Sequence, residues 1–312
     1  MKILVCPLNW GLGHATRCVQ VIRQLIAEGH EPVLVADGFP LEFLRQEFPT
    51  LRTIEYPSYS IYYAAGTSQV GAMIFNLPSI VTGILNEHFW LKKILQTEHF
   101  DQVISDNRFG MWNKNIHSIY MTHQLMVKMP YYLKFLEPLV HGIHKAFINR
   151  YTECRIPDRK ENDGLSGDLS HKYPLPQNAF FTGALSRFKG MENTLPEIMY
   201  EVVAVISGIE PQRTIFEKSL IERFKDASHK TLLVAGQPQS KRVENQINNL
   251  TIVSHLSDSE LASVLLGAKK IISRSGYSTI MDLDVLGCLE KAEFIPTPGQ
   301  TEQEYLKLFH SK

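Results

Sequence analysis

Two short apolar runs, one near each end of a 312-residue chain, are followed at once by a turn of small residues and then by helical periodicity. Lys2-Ile3-Leu4-Val5-Cys6 leads into Asn9-Trp10-Gly11-Leu12-Gly13-His14-Ala15-Thr16-Arg17. Lys270-Ile271-Ile272 leads into Ser273-Arg274-Ser275-Gly276-Tyr277-Ser278-Thr279-Ile280-Met281-Asp282. Alternation of strand and helix argues for parallel strands joined by helical crossovers, hence helices on both faces of a sheet. Two strand–turn–helix sites so far apart in one chain predict two doubly wound, Rossmann-like α/β units facing a cleft.

The pattern between them is consistent. A helix is expected from about His14 to Glu28, stopped by Gly29, then a strand over Pro32–Ala36 and a helix over Leu41–Phe48. Thr53–Glu55, Gln102–Ser105, Ser118–Met121 and Thr152–Ile156 read as strands. Segments of about Val70–Leu95 and Tyr131–Tyr151 read as helices. Residues 157–178, rich in Asp, Gly, Ser and Pro, read as a surface loop. Phe180–Phe188 closes a first domain, 1–187, and a linker, 188–198, leads to a second, 199–312. There Val202–Ile206, Thr231–Gly236, Leu250–Val253 and Ala292–Pro296 are expected strands. Thr214–Phe224, Asp258–Leu266 (with Ser257 as N-cap) and Thr301–Phe309 are expected helices.

Bulk properties remove several classes. Thirty-two basic residues balance 32 acidic ones, so charge gives no support to nucleic-acid binding. Cys6, Cys18, Cys154 and Cys288 are scattered without a CxxC pair, which argues against a zinc site and a disulfide framework. Met1-Lys2 runs straight into a strand with no signal peptide, and no apolar run of about 20 residues is present. A cytoplasmic protein is expected, free to touch a membrane from that side.

In doubly wound sheets ligands bind beyond the carboxyl ends of the strands. The 273–282 turn offers backbone N–H groups, hydroxyls and a helix N-terminus to an anion. An acid one to two turns into that helix, Asp282, would hydrogen-bond a sugar diol, and together these are parts of a nucleotide-diphosphate site. Gly11 and Gly13 allow close backbone approach, although Arg17 near the third small position spoils a dinucleotide fingerprint and an ordinary βα turn explains the glycines equally. His14, at a helix start, is placed to accept a proton. Gly208, in Ser207-Gly208-Ile209-Glu210-Pro211-Gln212-Arg213, offers a second anion cradle, and Arg213 a phosphate partner; an ordinary loop with a surface Arg is the alternative. In Gln300-Thr301-Glu302-Gln303-Glu304-Tyr305, Thr301 and Glu304 fit a capping box, whereas Gln303 is free to meet sugar hydroxyls. Asp106-Asn107 and His123-Gln124 lie at strand ends on the same rim.

In this order the motifs resemble those of GT-B glycosyltransferases, specifically glycosyltransferase family 28, the MurG-like and monogalactosyldiacylglycerol-synthase-like enzymes. Gly11–His14 is similar to the family's first glycine-rich turn, Thr182-Gly183 through Arg187 to its interdomain stretch, and Ser207–Arg213 to its second glycine-rich loop. Ser273–Asp282 is similar to its nucleotide signature, and Gln300–Tyr305 to its sugar-binding segment. The resemblance spans nearly the whole chain. It implies a UDP-sugar donor in the second domain, with Asp282 on the ribose, Thr279, Ser275 and Gly276 at the diphosphate, and Arg187, Arg213 or Arg274 neutralising charge. Gln300, Gln303 and Glu304 would read the sugar. The first domain would bind a lipid- or glycan-type acceptor, with His14 near the anomeric carbon and Asp106 or His123 sharing the base role. It further implies inversion, and no metal or other cofactor, helix dipole and Arg acting instead. GT-B enzymes send a final helix back onto the first domain, and that return helix is expected to be missing here.

The segment Tyr62–Leu95, with Ala72-Met73-Ile74-Phe75, Ile80-Val81, Ile84-Leu85 and Phe89-Trp90-Leu91-Lys92-Lys93, offers a peripheral membrane contact through 70–95; a core helix with an exposed end is the alternative. Two other functions fit the architecture: a non-catalytic or truncated nucleotide-sugar binder, and a UDP-sugar 2-epimerase. A dinucleotide oxidoreductase, with Asp37 after the second strand, fits least.

Overall fold

The structure is a computed structural model describing residues 1–58, 69–191, 193–196, 199–237 and 241–311, with backbone only for 69–75. Positions 62–68 of the apolar segment, and the side chains of Ala72-Met73-Ile74-Phe75, therefore lie outside the described residues.

Seven parallel strands make the first sheet: β1 (Lys2–Pro7), β2 (Glu31–Ala36), β3 (Thr53–Glu55), β4 (Gln102–Asp106), β5 (His117–Met121), β6 (Glu153–Ile156) and β7 (Ala179–Phe181), in the order β3-β2-β1-β4-β5-β6-β7. Buried on both faces, β1 and β2 are near-continuous apolar runs, as such strands must be. Ile3 and Val5 point to one face, under helices α1 (Leu12–Ala27) and α2 (Gly38–Glu47). Leu4 and Cys6 point to the other, under α3 (Gln69–Thr97), whose Leu91 joins them. Further along that second face, Tyr120 and Cys154 lie under α4 (Glu137–Ile148). The helix expected over 131–151 starts as a 3-10 turn, Tyr131–Leu136, before α4.

The second sheet holds β8 (Val202–Val205), β9 (Thr231–Val234), β10 (Glu244–Ile247), β11 (Leu250–Val253), β12 (Lys270–Ser273) and β13 (Ala292–Phe294), ordered β10-β11-β9-β8-β12-β13. All pairs are parallel except β10–β11, an exposed antiparallel edge that the polar run Glu244-Asn245-Gln246-Ile247 gave no periodic signal for. Its helices are α6 (Gln212–Phe224), α7 (Asp258–Gly267), α8 (Tyr277–Val285) and α9 (Thr301–His310); α5 (Asp168–His171) belongs to the connection before it. Ser257 caps α7 with a full capping box through Glu260.

Residues 157–178 are not the solvated loop expected. The Asp158 carboxylate is fully buried and accepts from the backbone N–H groups of Arg159, Leu165 and Ser166. Gly164, at φ 54°, lets the chain fold over it; a Cβ there would stand 2.4 Å from a carboxylate oxygen. The turn delivers Leu165 and Leu169 into the apolar core of the second sheet beside Val203 and Ile271. Helix α9 makes the reciprocal contact: Thr301 Oγ1 donates to Lys128 O at 2.6 Å, and Tyr305 Oη accepts from Asp168 N at 2.7 Å. All four cysteines are free and buried.

Candidate functional site

Strand order reverses between β1 and β4 in the first sheet and between β8 and β12 in the second. Such switch points open a crevice at the strands' carboxyl ends. Both crevices face one cavity of about 780 Å³. Gly11, Gly13 and His14 come to it from the β1–α1 turn, Gly208 from the end of β8, and Gly276, Thr279 and Asp282 from the β12–α8 turn. Gln300, Gln303 and Arg187 complete that set. The two glycine motifs touch: Ser278 Oγ donates to Gly13 O at 2.9 Å, and a Cβ on Gly13 would lie 2.9 Å from that same oxygen. Gly13 is thus required by a close approach between the two halves rather than by its dihedral angles.

On the first sheet's side, polar residues converge on Asp106 at the end of β4. Its carboxylate is fully buried and gripped by Arg17, whose Nε and Nη2 donate to separate oxygens. Burial pushes the carboxyl upward, but the Arg17 guanidinium and His14 outweigh it and hold it well below the ordinary range. His14 Nδ1 lies 2.9 Å from Asp106 Oδ1 and 3.0 Å from Arg17 Nη2; an ionised Asp106 only accepts, so the tautomer with its proton on Nδ1 is the one that bonds to the carboxylate. That leaves His14 Nε2 as the basic atom of a side chain lining the cavity. His123 is differently placed. Arg17 Nη1 donates to its Nδ1 at 3.0 Å, so its Nε2–H donates to Glu302 Oε1 at 2.9 Å, and its ring stacks on Tyr277 at 4.1 Å. Burial first, and then Arg17, lower its pKa against the pull of Glu302. With both ring nitrogens engaged, His123 is a bridge between the two sheets rather than a free base. Arg17 and Glu302 went unrecognised in the sequence: Arg17 counted only as a defect in a glycine pattern, and nothing local pairs it with Asp106, 89 positions away.

On the second side, Asp282 Oδ1 accepts from Ser186 Oγ at 2.6 Å, and Oδ2 lies 3.6 Å from Arg187 Nε. Burial raises its pKa to about 6, against the effects of Arg187 and Ser186. Arg187 also donates to Asp258, which accepts from Arg23 of α1 as well. Four residues expected at the ligand, Arg213, Arg274, Ser275 and Glu304, do not reach the cavity. Arg213 is turned into its own helix and loop, donating to Glu210, Glu217 and Ala235 O. Arg274 lies behind the turn, 4.0 Å over the Phe216 ring, and donates to the carbonyls of Ile295, Pro296 and Gln212; burial lowers its pKa to about 10. Ser275, fully buried, donates to Gln303 O. Glu304 is also spent on structure, its carboxylate accepting from Gly299 N just ahead of α9, while Gln300 rather than Thr301 occupies the cap position. Gln303 lines the cavity, though its Oε1 accepts from Thr297 N.

No protein-family model matches the chain. An uncharacterised glycosyltransferase of Methanosarcina acetivorans is 23% identical, over 97% of this chain and 82% of its own length. Among solved structures, the calicheamicin glycosyltransferase CalG4 superposes with a TM-score of 0.60 at 10% identity, covering 99% of this chain and 83% of its own. MurG of Acinetobacter baumannii gives 0.51 at 12% identity, covering 99% and 82%. The fold is that of the GT-B glycosyltransferases: two parallel-sheet, Rossmann-like units meeting across a cleft.

Proposed function

We propose that this chain is a glycosyltransferase that moves a hexose or N-acetylhexosamine from a UDP-sugar to an acceptor hydroxyl, with inversion and without a metal. The observation that carries this is His14, lining the cleft with its Nδ1 fixed by the buried Asp106, opposite the N-terminus of α8. The names of the curated relative and of the structural neighbours support the same class.

In this reading residues 199–312 bind the donor and residues 1–187 the acceptor. The diphosphate sits at Gly276–Thr279, where the first N–H groups of α8 have no partner within the helix. Asp282 takes the ribose diol, Gly208 gives the nucleotide room, and Gln300 and Gln303 meet the sugar. His14 Nε2 removes the acceptor's hydroxyl proton as its oxygen bonds to C1. The bond from C1 to the diphosphate oxygen breaks, and the departing charge falls on the α8 N-terminus. Asp106 stabilises the imidazolium that forms, as an aspartate does behind a catalytic histidine. His123 and Glu302 hold Arg17, and through it Asp106, in place. The acceptor is lipid- or glycan-linked, and the outer side of α3 provides a peripheral membrane contact.

Calorimetric titration with UDP, UDP-N-acetylglucosamine, UDP-galactose and GDP, beside the Asp282→Ala variant, tests this. Binding of the uridine ligands alone, weakened in the variant, is expected. If none of the four binds to folded protein, the donor assignment is wrong.

A further inference from the structure

Two strand-end pairs on the rim of the first sheet are only half used by the proposed chemistry. Asp106 and His123 are held by Arg17, while the residues that follow them, Asn107 and Gln124, line the cavity. The backbone of Asn107 sits at φ 57°, in the left-handed region, and its N–H donates to Met121 O at 3.2 Å. Glycine adopts that conformation without strain, whereas asparagine does so at a cost. The backbone alone therefore gives no reason for a carboxamide at this position. Behind it lies the fully buried Tyr120, whose Oη donates to Asn107 Oδ1 at 3.2 Å and meets His144 Nε2 at 3.2 Å. An amide whose oxygen is engaged from behind keeps two N–H donors for a ligand. Among the described residues, Asn107 Nδ2 bonds to nothing. Gln124 repeats the pattern. Thr122 Oγ1 donates to Gln124 O at 3.3 Å and accepts from Gln124 N at 3.1 Å, so the turn is fixed without the side chain. The Gln124 carboxamide bonds to no described residue and faces the cavity, as does that of Gln46 on α2.

Charge and polarity select what meets these amides. Among the described residues, the part of the wall formed by positions 10–127 holds one arginine and one carboxylate, and both are taken: Arg17 by Asp106, and Glu47 by Arg23 at 3.2 Å. Trp10 and Leu12 add apolar surface beside them. A phosphate or carboxylate on the acceptor would meet no side-chain cation here that is not already paired. A fatty alcohol would strip water from several carboxamides and return no hydrogen bond to them. A sugar ring meets both demands, with hydroxyl and ring oxygens on its edge for the amides and C–H faces for the indole. Asn107 is also one residue from the carboxylate that fixes His14, which puts its donors beside the site of proton removal.

We infer that Asn107 is an acceptor-binding residue, donating from Nδ2 to an oxygen next to the reacting hydroxyl, and that the reacting end of the acceptor is an uncharged sugar ring. This rests on the proposed transfer and narrows its acceptor; binding of the sugar itself needs no turnover and is measured apart from it.

The test is saturation-transfer nuclear magnetic resonance on the full chain with UDP present. The probes are the methyl glycosides of glucose, galactose, mannose and N-acetylglucosamine, the 6-phosphates of glucose and mannose, glucuronic acid, and 1-octanol. Neutral glycosides are expected to receive saturation, and the charged sugars and octanol at least about five-fold less. Two variants run in parallel, each checked for folding by near-ultraviolet circular dichroism. Asn107→Gly suits the backbone at φ 57°, and Asn107→Asp keeps an oxygen for Tyr120 Oη. Both should weaken glycoside binding about ten-fold and leave calorimetric UDP binding unchanged. A residue that serves only Tyr120 predicts otherwise: Asn107→Asp would bind glycosides like wild type, and that result overturns the assignment. So does saturation of no neutral glycoside, or a stronger signal from the phosphates, glucuronic acid or octanol. A glycoside signal lost in Gln303→Ala and kept in folded Asn107→Gly also overturns it, since the sugar then sits in the donor half. Lost UDP binding with a glycoside signal that still depends on Asn107 removes only the donor reading.

Discussion

Replacing Asp282 by Asn should stabilise the fold and weaken the proposed donor site at once. The carboxyl lies buried on α8, and burial raises its pKa from 3.8 to about 6. The folded state therefore binds its proton more tightly than the unfolded chain does. The favourable contribution is complete below about pH 3.8 and is lost as pH rises through about 6. A shift of about two units corresponds to about 3 kcal/mol of stability missing above pH 7. Asn keeps an acceptor for Ser186 Oγ, now 2.6 Å from the carboxylate, and removes the charge that must be desolvated. It gives up a contact with Arg187 at 3.6 Å, while Arg187 retains Asp258 at 3.0 Å. A net gain of about 1–3 kcal/mol at pH 8, shrinking to nothing near pH 4, follows. Urea unfolding of both proteins at the two pH values measures it as a difference of midpoints. The opposite result, Asp282→Asn less stable by the same margin at pH 4 and pH 8, would refute the reasoning and show that pairing with Arg187 outweighs the desolvation of the carboxylate. A calorimetric loss of UDP affinity in the more stable protein would show a carboxylate kept for binding at a cost to the fold.

Other substitutions separate chemistry from scaffolding. His14→Gln is expected to lower the transfer rate by about 10²–10⁴-fold and to leave calorimetric UDP binding unchanged; full activity would remove His14 from the reaction. Gly13→Ala places a Cβ 2.9 Å from Ser278 Oγ and 3.3 Å from Ser278 Cβ, so turnover should fall and Ser278→Gly in the same chain should restore it. Arg274→Ala, which takes a donor from three carbonyls, should reduce stability by about 2–3 kcal/mol in urea unfolding while the folded fraction binds UDP as before; a selective loss of affinity would return Arg274 to the phosphates.

The parts of this molecule that repeat locally were legible in the sequence. Continuous apolar runs placed the main strands within a residue or two, and glycine turns after β1 and β12 marked the mouths of both crevices. Residue types whose role depends on a distant partner were not legible. Arg274 and Arg213 sit in motifs beside the cleft, and their charge suggested phosphate; only the fold shows carbonyls and carboxylates already around them. Arg17 and Glu302 were passed over for the converse reason, since each gains meaning from a partner on another element. The 157–178 segment misled because its composition is that of a solvated loop, whereas one buried Asp158 organises it and sends two leucines into a core.

The disposition of the arginines bears on how an anion would be held. Arg213 and Arg274 are turned away from the cavity; Arg17, Arg187 and Arg242 line it, but Arg17 is committed to Asp106, Arg187 is shared with Asp258 and Asp282, and Arg242 pairs with Glu244 and Glu260. A diphosphate placed at Gly276–Thr279 would meet chiefly backbone N–H groups, which carry no side-chain identity and cannot be removed by substitution. Moving Arg187 onto the phosphate would strip the nearest guanidinium from Asp282, whose pKa is already raised by burial, and leave that carboxylate with Ser186 on Oδ1 and with Oδ2 open to donors on the ligand. A ribose diol offers two donors there. Phosphate and sugar recognition would thus be coupled through one arginine, and ligands lacking either half should bind more weakly than the sum of their parts requires.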